Sequence, residues 1–108
     1  MVLHRITTPL LLVVGELLKN PLDEHWGYRL SQATGLAPGT IQPILSRLEG
    51  EGWFEVRWED IDAVQEGRRP RRLYRLTGTG VKAAQALLNE RQLQTKTLRE
   101  WSTGQAPA

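Results

Sequence analysis

Gly67-Arg68-Arg69-Pro70-Arg71-Arg72-Leu73-Tyr74-Arg75-Leu76 is the stretch on which the fold turns. Five arginines fall within ten residues, with no acid among them. The whole chain carries 14 Lys+Arg against 12 Asp+Glu; without these five arginines it carries 9 against 12. The basic character is therefore one local spike and not a property of the whole surface. From Arg72 to Leu76 the stretch alternates, with Tyr74 and Leu76 on one face, which predicts a half-buried strand. Upstream, Phe54-Glu55-Val56-Arg57-Trp58 alternates in the same way. A polar, acidic segment from Glu59 to Glu66 and a turn over Gly67 to Pro70 lie between the two. Two strands joined by a long tip make a hairpin whose tip and return strand carry the arginines. Such a spike suits a polyanion, because the guanidinium offers a rigid donor fork that matches phosphate and the guanine edge. The other reading is a loop neutralised by Glu59, Asp60, Asp62 and Glu66. Both hold in turn if the acids keep the loop until a polyanion arrives.

Three helices precede the hairpin. Thr8 is placed to cap the first, and Pro9 suits its first position. Leu10, Val13, Val14, Leu17 and Leu18 recur at helical spacing up to Lys19, and Asn20-Pro21 stops the run. A second short helix fits His25 to Thr34, with Tyr28, Leu30 and Ala33 turned partly inward and Gly35 as its C-terminal stop. The third starts at Ala37-Pro38-Gly39-Thr40. Ile41, Ile44, Leu45 and Leu48 form its apolar face, and Pro43 sits inside it, where its missing amide predicts a loose turn or slight kink. Helices two and three, joined by Gly35-Leu36-Ala37, form a helix-turn-helix, and the hairpin that follows makes it the winged variant. Thr77 then caps a last helix reaching toward Trp101, with Gly78 and Gly80 weakening its first turn. The fold class expected is mainly α with a small β-hairpin, a winged helix-turn-helix plus a C-terminal helix. Residues 1–77 form the winged part, 78–101 the helix and 102–108 a frayed tail.

The 108 residues suffice for one modest core, so dimerisation is a natural supplement. There is no cysteine, which removes disulfides, thiolate metal sites and thiol nucleophiles together. The longest apolar run, Leu10 to Val14, is too short to span a membrane, and only His4 and Arg5 precede it with no cleavage pattern after it. A soluble, cytoplasmic protein is expected. His4 and His25 are the only histidines. Asp23-Glu24-His25 has no second histidine at ligand spacing, so no metal is expected. No nucleophile, base and orienting group can be assembled and no phosphate-binding glycine loop is present, so neither catalysis nor a cofactor is expected.

Four blocks carry a family resemblance. They are Trp26-Gly27-Tyr28-Arg29-Leu30, then Pro38 through Glu49, then Gly52-Trp53, and then Gly67 through Thr77. Together, over residues 9 to 90, they resemble the PadR-like transcriptional regulators. The resemblance implies a winged-helix homodimer that represses transcription, with one C-terminal helix supporting dimerisation in the short members. Two departures stand out. Gln42 occupies a position where the family commonly has an aromatic, usually tyrosine. Gly78-Thr79-Gly80 stands where it tends to have a proline and an acid.

On this reading double-stranded DNA is the partner. Gln42 and Thr40 would read base edges near the start of helix three, and Gln can pair bidentately with adenine. Ser46 and Arg47 would bond phosphate or a further base, unless Glu51, four residues on, pairs with Arg47. Pro38, Gly39 and Pro43 complete this half of the interface. Arg68, Arg69, Arg71 and Arg72 would hold phosphate or enter a narrow minor groove. Glu49 points away from DNA or makes a contact within the fold, and Tyr74 belongs to the core. Leu10, Val14, Ala84, Leu87, Leu88, Leu98 and Trp101 are the expected dimer contacts, with helix one as counterpart of the last helix. The resemblance also implies a small apolar inducer near Trp101, as in some family members. The competing reading is a winged-helix module that binds protein in a larger complex, without sequence-specific DNA binding.

Overall fold

The computed structural model describes the backbone of residues 6–102 and the side chains of residues 6–92. His4, the segment 103–108 and the side chains of Leu98 and Trp101 lie outside the described residues. The elements run in the order α1 (Thr8–Lys19), α2 (Gly27–Thr34), α3 (Pro38–Gly50), β1 (Phe54–Trp58), α4 (Ala63–Glu66), β2 (Arg72–Leu76) and α5 (Gly78–Ser102). This is the winged helix-turn-helix with a C-terminal helix that the alternation and helical spacing predict. The N-cap of α1 is Thr7 and not Thr8; its hydroxyl accepts from the Leu10 amide at 3.3 Å. The short α4, capped by Asp62, lies inside the connection expected to be loop. α3 runs unbroken through Pro43.

Buried faces of α1, α2, α3, the hairpin and the first turns of α5 share one core. Leu10, Val13, Val14 and Leu17 of α1 meet Leu30 of α2, Ile41, Leu45 and Leu48 of α3, Trp53, Phe54, Tyr74, Leu76 and Ala84 there. Phe54 and Tyr74 pack edge to face with ring centroids 5.2 Å apart. The strands pair antiparallel in the register Phe54 with Leu76, Val56 with Tyr74 and Trp58 with Arg72, so these six side chains share one face. Leu10, Val14 and Ala84, expected at a dimer contact, are 2%, 0% and 0% exposed. A side chain with no surface left in its own protomer has none to bury against another, so these three serve the protomer's core. Leu87 and Leu88 are half-buried and keep part of their surface.

Three further expectations are corrected. Tyr28 and Ala33 are exposed and only Leu30 of α2 is fully buried. Two residues along a helix turn the side chain by about 200°, so Tyr28 and Leu30 cannot both face inward. His25 does not begin α2. It is extended and exchanges backbone bonds with Tyr74, each amide donating to the other's carbonyl at 2.8 Å. Its buried ring is held on both nitrogens. Arg29 can only donate, at 3.2 Å to Nδ1, so Nε2 carries the proton and donates to the Asn20 carbonyl at 3.1 Å. Arg29 in turn pairs with Glu16 at 3.2 Å.

At the other end of the hairpin Thr77 ties three elements. Its amide donates to the Trp53 carbonyl at 2.9 Å, its hydroxyl donates to Gly52 O at 2.9 Å, and the same hydroxyl accepts from the Gly80 amide at 3.0 Å. The helix start therefore has its cap without the acid that a capping box supplies. Gly80, read as a weak helix former, is there for space. A Cβ on it would run into the Trp53 carbonyl oxygen.

Two outcomes follow for stability. Gly80→Ala forces α5 off the Trp53 backbone and lowers the unfolding free energy by about 3 kcal/mol. Gly78→Ala, with open space around it, raises it by about 0.5 kcal/mol in the same urea titration. Burial, reinforced by the Arg29 charge, holds the His25 pKa below its ordinary value. The unfolded chain then takes up a proton that the folded one refuses, so this contribution is complete above about pH 6.5 and declines as pH falls below it. His25→Gln should flatten that part of the stability–pH profile.

Candidate nucleic-acid interface

α3 is placed by the turn before it. Gly35 adopts a left-handed conformation (φ 78°) that bends the chain out of α2, and its amide donates to the Ser31 carbonyl at 2.9 Å. Ser31 Oγ then donates to the Leu36 carbonyl at 2.6 Å, while the Leu36 amide donates to Thr34 Oγ1 at 3.2 Å. Leu36 packs against the core and closes the turn. With Ile41, Leu45 and Leu48 buried, the opposite face of α3 is left to solvent. Pro38, Gly39, Thr40, Gln42, Pro43, Ser46 and Arg47 are all exposed on it or at its start. Arg47 makes no ion pair with another described residue. At Gly27, a Cβ would come within 2.8 Å of Gln42 Nε2, so the glycine leaves room for that side chain.

The four arginines named for the wing are not equivalent. Arg68 forms a two-pronged bond with Glu59, at 2.7 Å and 3.1 Å. The same carboxylate accepts the Arg71 amide at 3.2 Å. The guanidinium of Arg71 lies over the Trp26 ring, 4.6 Å from its centroid. Arg72 donates to Glu49 at 2.9 Å and stands 5.7 Å and 5.9 Å from the Trp58 and Tyr74 rings. Arg69 is exposed and pairs with no acid among the described residues. Of the acids expected to neutralise the tip, Glu59 does so and Asp62 instead caps α4. Glu49 makes the contact within the fold that the sequence allowed. On the outer face of the sheet, Arg57 pairs with Glu24 at 2.6 Å and Arg75 with Glu55 at 3.4 Å.

Between α3 and the hairpin lies an open cleft of about 310 Å³, lined by Trp26, Gly27, Tyr28, Gln42, Trp58, Arg71, Arg72 and Tyr74. Trp26, Tyr28 and Trp58 were not among the sequence candidates. For Trp58 the signal was present: alternation puts it on the core face of β1, but its position at the strand end carries it past the core. No group of His, Asp and Glu able to hold a metal ion occurs among the described residues. No described helix is long and apolar enough to cross a membrane.

The model of the transcriptional regulator PadR-like family matches residues 16–86, which hold α2, α3, the hairpin and the start of α5. The chain belongs to the PadR-like family. Its members are transcriptional regulators, and this chain is one of them. No curated protein matches it in sequence. Among solved structures, a protein from Streptococcus mutans UA159 is similar at TM-score 0.72 and 23% identity, over 98% of this chain and 99% of that one. A PadR family transcriptional regulator from Eggerthella lenta DSM 2243 is similar at TM-score 0.72 and 19% identity, over 86% of this chain and 82% of that one. A PadR family regulator from Clostridium difficile R20291 is similar at TM-score 0.69 and 20% identity, over 88% of this chain and 98% of that one. At such identities these likenesses speak for the PadR-like fold and leave the individual contacts to the residues themselves.

In this PadR-like wing Glu59 is the anchor, and its titration tests that. The Arg68 fork, then the Arg71 amide and the two charges, hold its carboxyl down at about 2. A carboxylate held low in the fold stabilises above the ordinary Glu range and loses that effect as pH falls toward about 2, so the Arg68–Glu59 pair is formed at neutral pH. NMR of the Glu59 side chain should show this low midpoint. Glu59→Gln should speed hydrogen exchange at the Arg71 amide without unfolding α1 to α3.

Proposed function

We propose that the chain is a sequence-specific DNA-binding repressor that acts as a homodimer on a pseudo-palindromic operator. The observation that carries this is the exposed polar face of α3, with Thr40, Gln42, Ser46 and Arg47 in the open beside an arginine-rich wing. A helix of this kind enters the major groove, where Gln42 pairs with an adenine edge. Pro38 and Gly39 bring the helix start close to the backbone, and Pro43 stays on the exposed side. The wing supplies phosphate contacts, which set orientation without reading sequence. Arg69 is ready for this as it stands, whereas Arg68, Arg71 and Arg72 keep donors to spare around their present partners. Membership of a family of transcriptional regulators supports the reading.

The second copy engages through α5 and α1. α5 continues to Ser102, well past Leu88, the last of its described side chains packed against the core. Asn89 to Gln92 are exposed there, and Leu12 of α1 is an exposed apolar group. Leu87 and Leu88 offer their uncovered surface, with Leu98 and Trp101 expected to extend the contact. Two-fold symmetry then sets the half-sites about 34 Å apart. Light scattering at micromolar concentration should give twice the chain mass, and a monomer refutes this arrangement.

Selection from random duplexes, followed by affinity measured against salt, tests the DNA reading. Gln42→Ala should relax one base position at a cost of about 1–3 kcal/mol. Arg69→Ala should weaken all sequences alike and lower the salt slope by about 0.9. If no sequence is enriched and neither substitution matters, the fold serves as a protein-binding module.

A further inference from the structure

We propose that the cleft between α2, α3 and the wing seats a sugar–phosphate stretch of one DNA strand, with Tyr28 and Trp58 as contact residues. This rests on the DNA reading given under Proposed function and extends it to residues outside α3 and the arginine tip.

The starting point is a convergence. Tyr28 and Trp58 are 66% and 62% exposed, come from different elements, and line the same cleft. Two large aromatics left in water on one concave surface mark a binding site more strongly than scattered apolar groups do. The charge of the cleft selects the occupant. Arg71 and Arg72 line it, and no acid does among the described residues. Glu49 and Glu59 each meet only part of these two guanidinium groups, and a purely apolar partner would leave their remaining donors unmet, so the occupant carries negative charge and apolar surface together. A deoxyribose–phosphate chain has both.

Position points the same way. In duplex DNA a backbone strand separates the major groove from the minor. A protein that places α3 in one groove and a wing tip in the next must let that strand pass between them. The cleft lies on that line, with Gln42 on its α3 side and Trp58 and Arg72 on its wing side.

The donors are preset. The Tyr28 hydroxyl has no hydrogen bond to another described residue and is free to donate to a phosphate oxygen. Arg72 gives one nitrogen to Glu49, and a guanidinium has five N–H donors, so it reaches a phosphate without leaving its carboxylate. Arg71 sits over the Trp26 ring, 4.6 Å from its centroid, with one nitrogen 3.8 Å from Glu59, which leaves further N–H donors for a phosphate. The Trp58 ring offers a face to the deoxyribose.

The test uses the full chain and a labelled random-sequence DNA duplex, read by anisotropy over a range of salt. Tyr28→Phe, which deletes one oxygen, and Trp58→Ala should each weaken binding about tenfold. Neither removes charge, so the slope of log affinity against log salt should stay at the wild-type value. Melting temperatures should be unchanged for Tyr28→Phe, whose fold contacts are intact, which keeps the test decisive even if Trp58→Ala perturbs the strand. If the wild type binds the duplex and Tyr28→Phe and Trp58→Ala bind equally well, the strand seat is wrong and the DNA reading stands. If the wild type binds no duplex at any salt, both fall together.

Discussion

The paired backbone bonds between His25 and Tyr74 are the constraint on which the rest depends. They make the segment before α2 a third, one-residue strand at the inner edge of the hairpin. The wing is thereby attached to the start of the helix-turn-helix as well as to the end of α3. The angle between α3 and the wing is fixed from two sides, and the cleft between them exists because of it. The His25 ring carries the same constraint inward, through Asn20 at the end of α1 and through Arg29 to Glu16. An isolated two-stranded hairpin is marginal in water, and this one is kept by what it is joined to.

Electrostatics in the wing follow a single scheme. Each arginine except Arg69 lies against a carboxylate or an aromatic face, so the guanidinium planes are ordered before any partner arrives. Exposed ion pairs of this sort add little to stability, since solvent screens them and side-chain entropy opposes them. Their value is in orientation. The positions of Arg68, Arg71 and Arg72 are set by Glu59, Trp26 and Glu49, one partner from the hairpin and two from the helical half.

Most of the fold was legible in the chain because it rests on periodicity. The spacing of Leu10, Val13, Val14 and Leu17, the face Ile41, Leu45 and Leu48, and the two alternating strands each announce an element and its buried side. The exposed face of α3 was equally legible, being what the buried face leaves over. What escaped has no periodic signal. His25 takes its conformation from Tyr74, 49 residues away in sequence. Tyr28 stands two residues from Leu30 along α2, so the two cannot share its buried face, and only Leu30 does. A helix face does not say whether its own domain or another covers it, so the sequence alone suits Leu10, Val14 and Ala84 to a partner as well as to the core that the structure gives them. Gly78 and Gly80 look alike in the chain, and only the Trp53 carbonyl tells them apart.

That carbonyl has a mechanical consequence. With Gly80 in contact with it, and Thr77 bonded on both sides of the junction, there is no free residue between the base of the hairpin and the axis of α5. The joint works as a braced corner and not as a hinge. α5 has 25 residues, a lever of about 37 Å. Whatever holds its far end therefore sets the bearing of the wing, and a tilt of a few degrees there becomes a displacement of ångströms at the arginines.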